Sequence, residues 1–357
     1  MTFSRRQLAR ALAVLALGAA SLAPASPPAP SAPPVPNAAA PLPPTTSAWL
    51  PYWDQEAALR DALRHARQLH TVSPFWYETK SATRVEGHPG AGARRVVDAL
   101  HGAGIKVVPT VMERLPPGRL AAILTDPGRR AAHVDALVDL LRGQAYDGLD
   151  LDYETIAPTG DTAYRQVRAA YATFVTDLCG RLHTLGKSCV VTVSPKTTRS
   201  GRVWDYRRLG AAADRVRLMA YDLHWAVGPP GPLASPAWYD ELLRRATAEV
   251  PVHKLELALP AYGWDWAVGS PARARHVTWR EAEALRRRVG ARYRIDPGSG
   301  TPHFTYEEGR VRRTVWYQDA RGTAAHLAVA RRHGVRNAGL WALGFEDPEV
   351  WEVLARG

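Results

Sequence analysis

The chain has 357 residues, room for one barrel-sized domain or two average ones. Its hydrophobic fraction of 46% and charged fraction of 22% are ordinary globular values, which excludes disorder for the bulk of the chain. The formal charge of +12 comes mostly from scattered Arg with no dense basic run, so nucleic acid is not an expected partner.

The first 46 residues read as an export leader and a linker. Ser4-Arg5-Arg6-Gln7-Leu8 is a twin-arginine-like start, Ala11 to Ala23 a short apolar run, and Ala23-Pro24-Ala25 a small-residue cleavage site. The run falls short of the roughly 20 apolar residues that span a bilayer. No cysteine follows it for lipid attachment. Residues 1–25 are therefore expected to be a removed signal peptide, 26–46 a Pro/Ala-rich linker, and 47–357 a folded domain without stable membrane insertion. The domain stays basic after Arg5, Arg6 and Arg10 are lost, which suits electrostatic retention on an anionic cell wall.

From residue 47 onward, short apolar runs alternate with helical patterns, the rhythm of βα units and a parallel sheet. Eight strands are predicted: Ala48 to Trp53, Leu69 to Trp76, Ile105 to Met112, Tyr146 to Glu154, Cys189 to Ser194, Val216 to Tyr221, Leu255 to Tyr262 and Ala338 to Leu343. Eight such units predict an α/β fold, a closed (β/α)8 TIM barrel. Between the third and fourth strands, Val134, Leu137, Val138 and Leu141 recur at helical spacing and Gly143 can end the helix. Cys179 and Cys189 fit either one disulfide or two buried thiols, since a helix-to-strand separation can exceed the 7 Å limit between Cα atoms.

The rhythm breaks after the seventh strand, where about 267–318 is too long for an ordinary loop. A helical stretch from Thr278 to Val289 and a hairpin pairing His303 to Tyr306 with Arg310 to Tyr317 across Glu308-Gly309 predict a small α+β insertion raising one wall over the barrel mouth.

The chemistry concentrates in the fourth strand, Asp147-Gly148-Leu149-Asp150-Leu151-Asp152-Tyr153-Glu154. Alternate side chains share a face, so Asp150, Asp152 and Glu154 point into the barrel and climb toward its C-terminal mouth, while Leu149, Leu151 and Tyr153 point outward. Neighbouring carboxylates in a partly desolvated site cannot all ionise, so one holds a proton and becomes a general acid. A solvated acidic stripe would need a surface strand, and this one lies mid-chain between good helices. A divalent-metal site is the sharper rival, but the run has no His, and aromatics dominate the other strand ends. No metal and no cofactor are expected.

That run resembles the Asp-x-x-Asp-x-Asp-x-Glu signature of glycoside hydrolase family 18. Met219-Ala220-Tyr221-Asp222 is similar to the family's Met-x-Tyr-Asp motif, and Trp341 closes the eighth strand as the family's tryptophan does. Ser73-Pro74-Phe75-Trp76, Leu259-Pro260-Ala261-Tyr262-Gly263 and Leu340-Trp341-Ala342-Leu343-Gly344 narrow the resemblance to the branch of bacterial spore-cortex and cell-wall N-acetylglucosaminidases. Many chitinases of the family carry Ser-x-Gly-Gly on the third strand; here that place reads Val108-Pro109-Thr110-Val111-Met112, which weighs against chitin.

The resemblance implies retaining cleavage of β-1,4 bonds in N-acetylglucosamine polymers, assisted by the substrate's own acetamido group. The partner is then peptidoglycan first and chitin-type oligosaccharides next, met by a monomer secreted or held at the periplasm or cell wall. Glu154 would be the acid, Asp152 would hold the acetamido N–H, Asp150 would support Asp152 through a shared proton, and Tyr221 would contact the acetamido oxygen. Asp147, on the other alternation phase, would be structural. Aromatic rings stack on the C–H faces of sugars, so Trp341, Trp76, Tyr52 and Tyr262, with Asp222 and Met219, are the expected substrate contacts. Core packing competes evenly for Trp53 and Trp264, and a local hydrogen bond is expected for His224. A non-catalytic, lectin-like carbohydrate-binding barrel is the alternative function.

Overall fold

The computed structural model describes residues 45–156, 161–197 and 200–356. The expected signal peptide and nearly all of the linker lie outside these. Eight parallel strands form the barrel: β1 (Thr46–Pro51), β2 (Thr71–Phe75), β3 (Lys106–Val107 and Thr110–Glu113), β4 (Gly148–Asp152), β5 (Ser188–Val193), β6 (Arg215–Met219), β7 (Leu255–Pro260) and β8 (Asn337–Trp341). β8 pairs with β1, which closes the ring. β3 is interrupted at Val108-Pro109, because proline has no N–H to give a ladder. Its first half pairs with β2 and its second with β4.

Each strand is bracketed by helices whose apolar stripe packs on the sheet. Helix Pro127–Leu141 starts at Asp126, whose carboxylate caps the Arg129 amide, with Pro127 at the first helical position. It buries Val134, Leu137, Val138 and Leu141, each worth about 1.5–3 kcal/mol relative to exposure. Gly143 beyond its end takes φ +74°, a conformation that glycine adopts without a Cβ penalty.

Two expectations are revised. The seventh predicted strand is two strands: Leu255–Pro260 stays in the barrel, while Tyr262–Ala267 turns into the insertion sheet after Ala261. The insertion therefore starts at Tyr262, five residues before the expected boundary. There Tyr262–Ala267 pairs antiparallel with Arg275–Thr278 and with Val311–Tyr317, which pairs in turn with Pro302–Glu308. Helix Trp279–Arg288 begins in a reciprocal Thr278–Glu281 capping box. The alternatives for the cysteines also resolve: Cys179 and Cys189 form a disulfide with their Cα atoms 5.3 Å apart. Because this bridge closes a short loop, the Cys179→Ser/Cys189→Ser protein should lose about 2 kcal/mol and melt a few degrees lower by calorimetry. No helix among the described residues is long and apolar enough to cross a membrane.

Candidate active site

The inward face of the barrel carries charge where most barrels carry Val, Ile and Leu. At its centre the buried Arg217 of β6 donates to Asp150 of β4 at 2.9 Å, to Ser73 at 3.2 Å and to Ser47 at 3.1 Å, and it pairs with Glu256 of β7. Its guanidinium lies 4.3 Å from the Trp49 ring. Gly339 completes the layer by omission, since a Cβ there would come within 2.8 Å of a Glu256 oxygen.

Asp150 accepts from Trp49 Nε1 at 3.0 Å and from the hydroxyls of Thr110 and Thr192, each at 2.7 Å, in addition to Arg217. Burial pushes its carboxyl up, while the guanidinium and the two hydroxyls pull it back. Trp49 and Arg217 can only donate, so the oxygen they share is an acceptor. This differs from the expected sharing of a proton with Asp152: both Asp150 oxygens are engaged elsewhere, and its influence on Asp152 is through charge.

Asp152 lies one pleat nearer the mouth, buried, and its Oδ1 has no hydrogen-bond partner among the described residues. Its carboxyl is pushed well above the usual range by burial first, then by Glu154 and Asp150, with Arg217 opposing. Glu154 follows at the rim, open to solvent. Surrounding protein still raises its carboxyl, and Glu113 and Asp222 add to the rise. Among the described residues nothing hydrogen-bonds the Glu154 carboxyl or the Tyr221 hydroxyl, and burial holds that phenol well above its ordinary range, as a neutral donor. Two protonatable acids and the Tyr221 hydroxyl thus neighbour one another at the barrel mouth, which suits proton transfer to a substrate that brings its own hydrogen-bonding groups.

Tyr221 and Asp222 leave the end of β6. Asp222 is the only non-glycine described residue with positive φ, +60°, and such strain persists where surroundings enforce it. Tyr262 and Trp264 of the insertion supply that force, donating to Asp222 Oδ1 at 2.5 Å and 3.1 Å. Tyr262 is buried, so it acts on Asp222 and not as an open sugar platform. Trp264 is likewise buried, whereas Trp53, given even odds of core packing, is 53% exposed at the rim.

Trp76 is the clearest correction. It is fully buried, its indole N–H donating to Gln55, so it offers no ring face to a ligand. Tyr52 stacks on His88 with centroids 4.0 Å apart and stays partly exposed. Met219 is buried at the end of β6. Trp341 fits its expected place, partly buried at the end of β8 and gripped edge-on by Phe75 at 4.9 Å and Trp49 at 5.5 Å. His224 bonds the Pro229 carbonyl at 2.9 Å, the local role expected.

Asp147 sits at the opposite end of β4, accepting from the Val107 amide at 2.8 Å and facing His101. Asp147→Asn should cost about 1 kcal/mol in denaturant unfolding and leave turnover unchanged.

Two residues escaped the sequence reading. Arg217 had a signal, a charged side chain at period two inside the apolar run Val216-Arg217-Leu218-Met219, on the phase that faces the barrel. Glu113 ends β3 and is 8% exposed. It accepts from the Thr155 amide at 2.7 Å, the Thr155 hydroxyl and the Leu115 amide at 3.2 Å, pinning the peptide that follows Glu154. Nothing local in the sequence pairs Glu113 with Thr155.

Known proteins share this architecture. The chain is 26% identical over 247 residues to the uncharacterized glycosylase YvbX of Bacillus subtilis (strain 168), covering 67% of this chain and 70% of that one. It is 25% identical over 310 residues to the cortical fragment-lytic enzyme of the same organism, covering 83% and 70%. The crystal structure of a chitinase from Chromobacterium violaceum ATCC 12472 superposes with a TM-score of 0.76 at 25% identity, covering 87% of this chain and 98% of that one. The family model for Glycosyl hydrolases family 18 matches residues 113–346, from Glu113 through the acidic strand and Trp341. By that match and by its acid-lined barrel mouth, the chain belongs to glycosyl hydrolase family 18.

Proposed function

We propose that this protein is a retaining hydrolase of β-1,4 bonds at N-acetylglucosamine, with peptidoglycan as first substrate and chitin-type oligosaccharides next. The observation that carries it is Asp152 Oδ1, a buried acceptor without a donor among the described residues, beside the solvent-open Glu154. An amide N–H of the substrate would supply the missing donor. A relative named as a cortical fragment-lytic enzyme and another named as a chitinase support that pair of substrates.

In the reaction Glu154 gives its proton to the glycosidic oxygen as the C1–O bond breaks, and the acetamido carbonyl oxygen closes on C1 to form an oxazolinium. Asp152 accepts from the acetamido N–H as positive charge grows there. Asp150 keeps negative charge beneath it, and Tyr221 donates to the acetamido oxygen. Glu154, now a carboxylate, takes a proton from water as that water attacks C1, with net retention. Trp341 floors the cleaved sugar. Asp222 lines the same volume, with Tyr52 and Met219 at its margin. The Cys179–Cys189 bridge suits the oxidising compartment that export through residues 1–25 would reach.

Digestion of purified peptidoglycan and of chitin oligosaccharides, read by mass spectrometry of the new reducing end, tests this. Reducing N-acetylglucosamine from peptidoglycan is expected. Binding of both polymers with cleavage of neither would establish the lectin-like alternative.

Glu113 gives a pH test of the same site. Its negative charge favours the proton on Glu154, so Glu113→Gln should lower the Glu154 pKa. Loss of the acid form sets the alkaline limb of kcat/KM, which should therefore move to lower pH. The acidic plateau should stay within a few-fold, because the Gln oxygen can still accept from Thr155. An unmoved limb would remove Glu113 from this role.

A further inference from the structure

The strands' N-terminal ends form the face opposite the mouth, and a concavity of about 230 Å³ opens there between the start of β1, the start of β8 and the chain's last helices. Three arginines from three segments line it: Arg67 after helix Gln55–Arg64, Arg331 in helix Ala320–Arg332, and Arg336 before β8. All three are exposed. Among the described residues no hydrogen bond or ion pair engages any of the three guanidinium groups, whereas that of Arg356 pairs with Glu352 at 3.1 Å. Among the described residues no carboxylate lines the concavity. His70 adds a donor: its Nδ1 lies 3.1 Å from the Thr46 amide, which can only donate, so Nδ1 is the acceptor and a neutral ring carries its proton on Nε2. Gln68 adds a side-chain amide.

We propose that this concavity is a binding site for a phosphate group, distinct from the active site. A carboxylate offers two oxygens in one plane and is satisfied by a single arginine fork. Three guanidinium groups approaching from separate segments, with an imidazole N–H, suit a tetrahedral anion that offers oxygens in several directions. Three cations that line one concavity also repel one another, and a bound dianion offsets that repulsion. The location gives the site a use. A phosphate-bearing polymer held at the barrel's base would keep the enzyme on an anionic matrix with the mouth free to face glycan.

The test titrates the whole protein with inorganic phosphate, and separately with dimethyl phosphate, at constant ionic strength in a calorimeter. Three proteins are compared: the natural one, Arg67→Ala/Arg331→Ala/Arg336→Ala, and Arg60→Ala/Arg280→Ala/Arg310→Ala, which removes equal charge from other exposed positions. Saturable binding by the natural and control proteins, weakened at least tenfold in the first triple variant, supports the site. Dimethyl phosphate binding marks a phosphodiester as the source, and binding of inorganic phosphate alone marks free phosphate. Equal weakening in both triple variants, or no saturable binding by the natural protein, overturns it. Unchanged melting temperature and unchanged cleavage of a neutral oligosaccharide confirm that the variants are folded.

Discussion

Glu154→Gln should reduce kcat by about 10²–10⁴-fold while oligosaccharide affinity stays within a few-fold. The substitution keeps the size and planarity of the side chain and removes the one exchangeable proton that the glycosidic oxygen would receive. Glu154 stands at the open end of the row Asp150, Asp152, Glu154, and its carboxyl is raised by the desolvating protein around it, by Glu113 and by Asp222. That combination gives a group accessible to substrate yet inclined to hold a proton. Among the described residues no protein group hydrogen-bonds Glu154, so the substitution breaks no internal contact and should leave the melting temperature near that of the natural protein. Turnover and calorimetric binding measured on one preparation separate the roles. Full turnover in the variant would remove Glu154 as the acid, and loss of binding without loss of turnover would make it a substrate contact only.

The acidic row was legible in the sequence because a strand's period of two is rigid: once Asp150 faces inward, Asp152 and Glu154 must follow. The outward phase was equally legible, and Tyr153 indeed bonds Thr79 and His133 behind the strand at 2.6 Å each. The eight strands were legible for the same reason, each to within a few residues of its ends. What the sequence could not place were partners set by closure of the ring. Arg217 meets Asp150 across 67 residues and Glu113 meets Thr155 across 42, distances at which local pattern carries no register. Trp76 shows a further limit. A tryptophan one residue beyond a strand end reads as a mouth aromatic, but β2 ends at Phe75 and the next side chain turns away from the mouth toward Tyr146, behind the barrel.

Asp152→Asn should lower kcat about 10²–10³-fold, the range seen when one group stabilising developing charge is removed, and it should also make the protein more stable near neutral pH. The two effects share one cause. Asp152 is buried, its Oδ1 lacks a partner among the described residues, and its folded pKa is raised well above the unfolded value by burial, Glu154 and Asp150. Between the unfolded value, about 3.9, and the raised folded value, the native state binds the extra proton. Stability therefore falls as pH rises through that window, and the loss is complete above the folded pKa. Asparagine cannot ionise, so the variant escapes this loss. Its melting temperature should exceed that of the natural protein at pH 7, and the difference should shrink toward pH 4. If instead Asp152 only filled space, Asn would change neither quantity. If it were a purely structural acceptor, Asn would destabilise at every pH. Only a carboxylate kept in an unfavourable place for the chemistry gives less activity and more stability together, with the stability gain growing as pH rises.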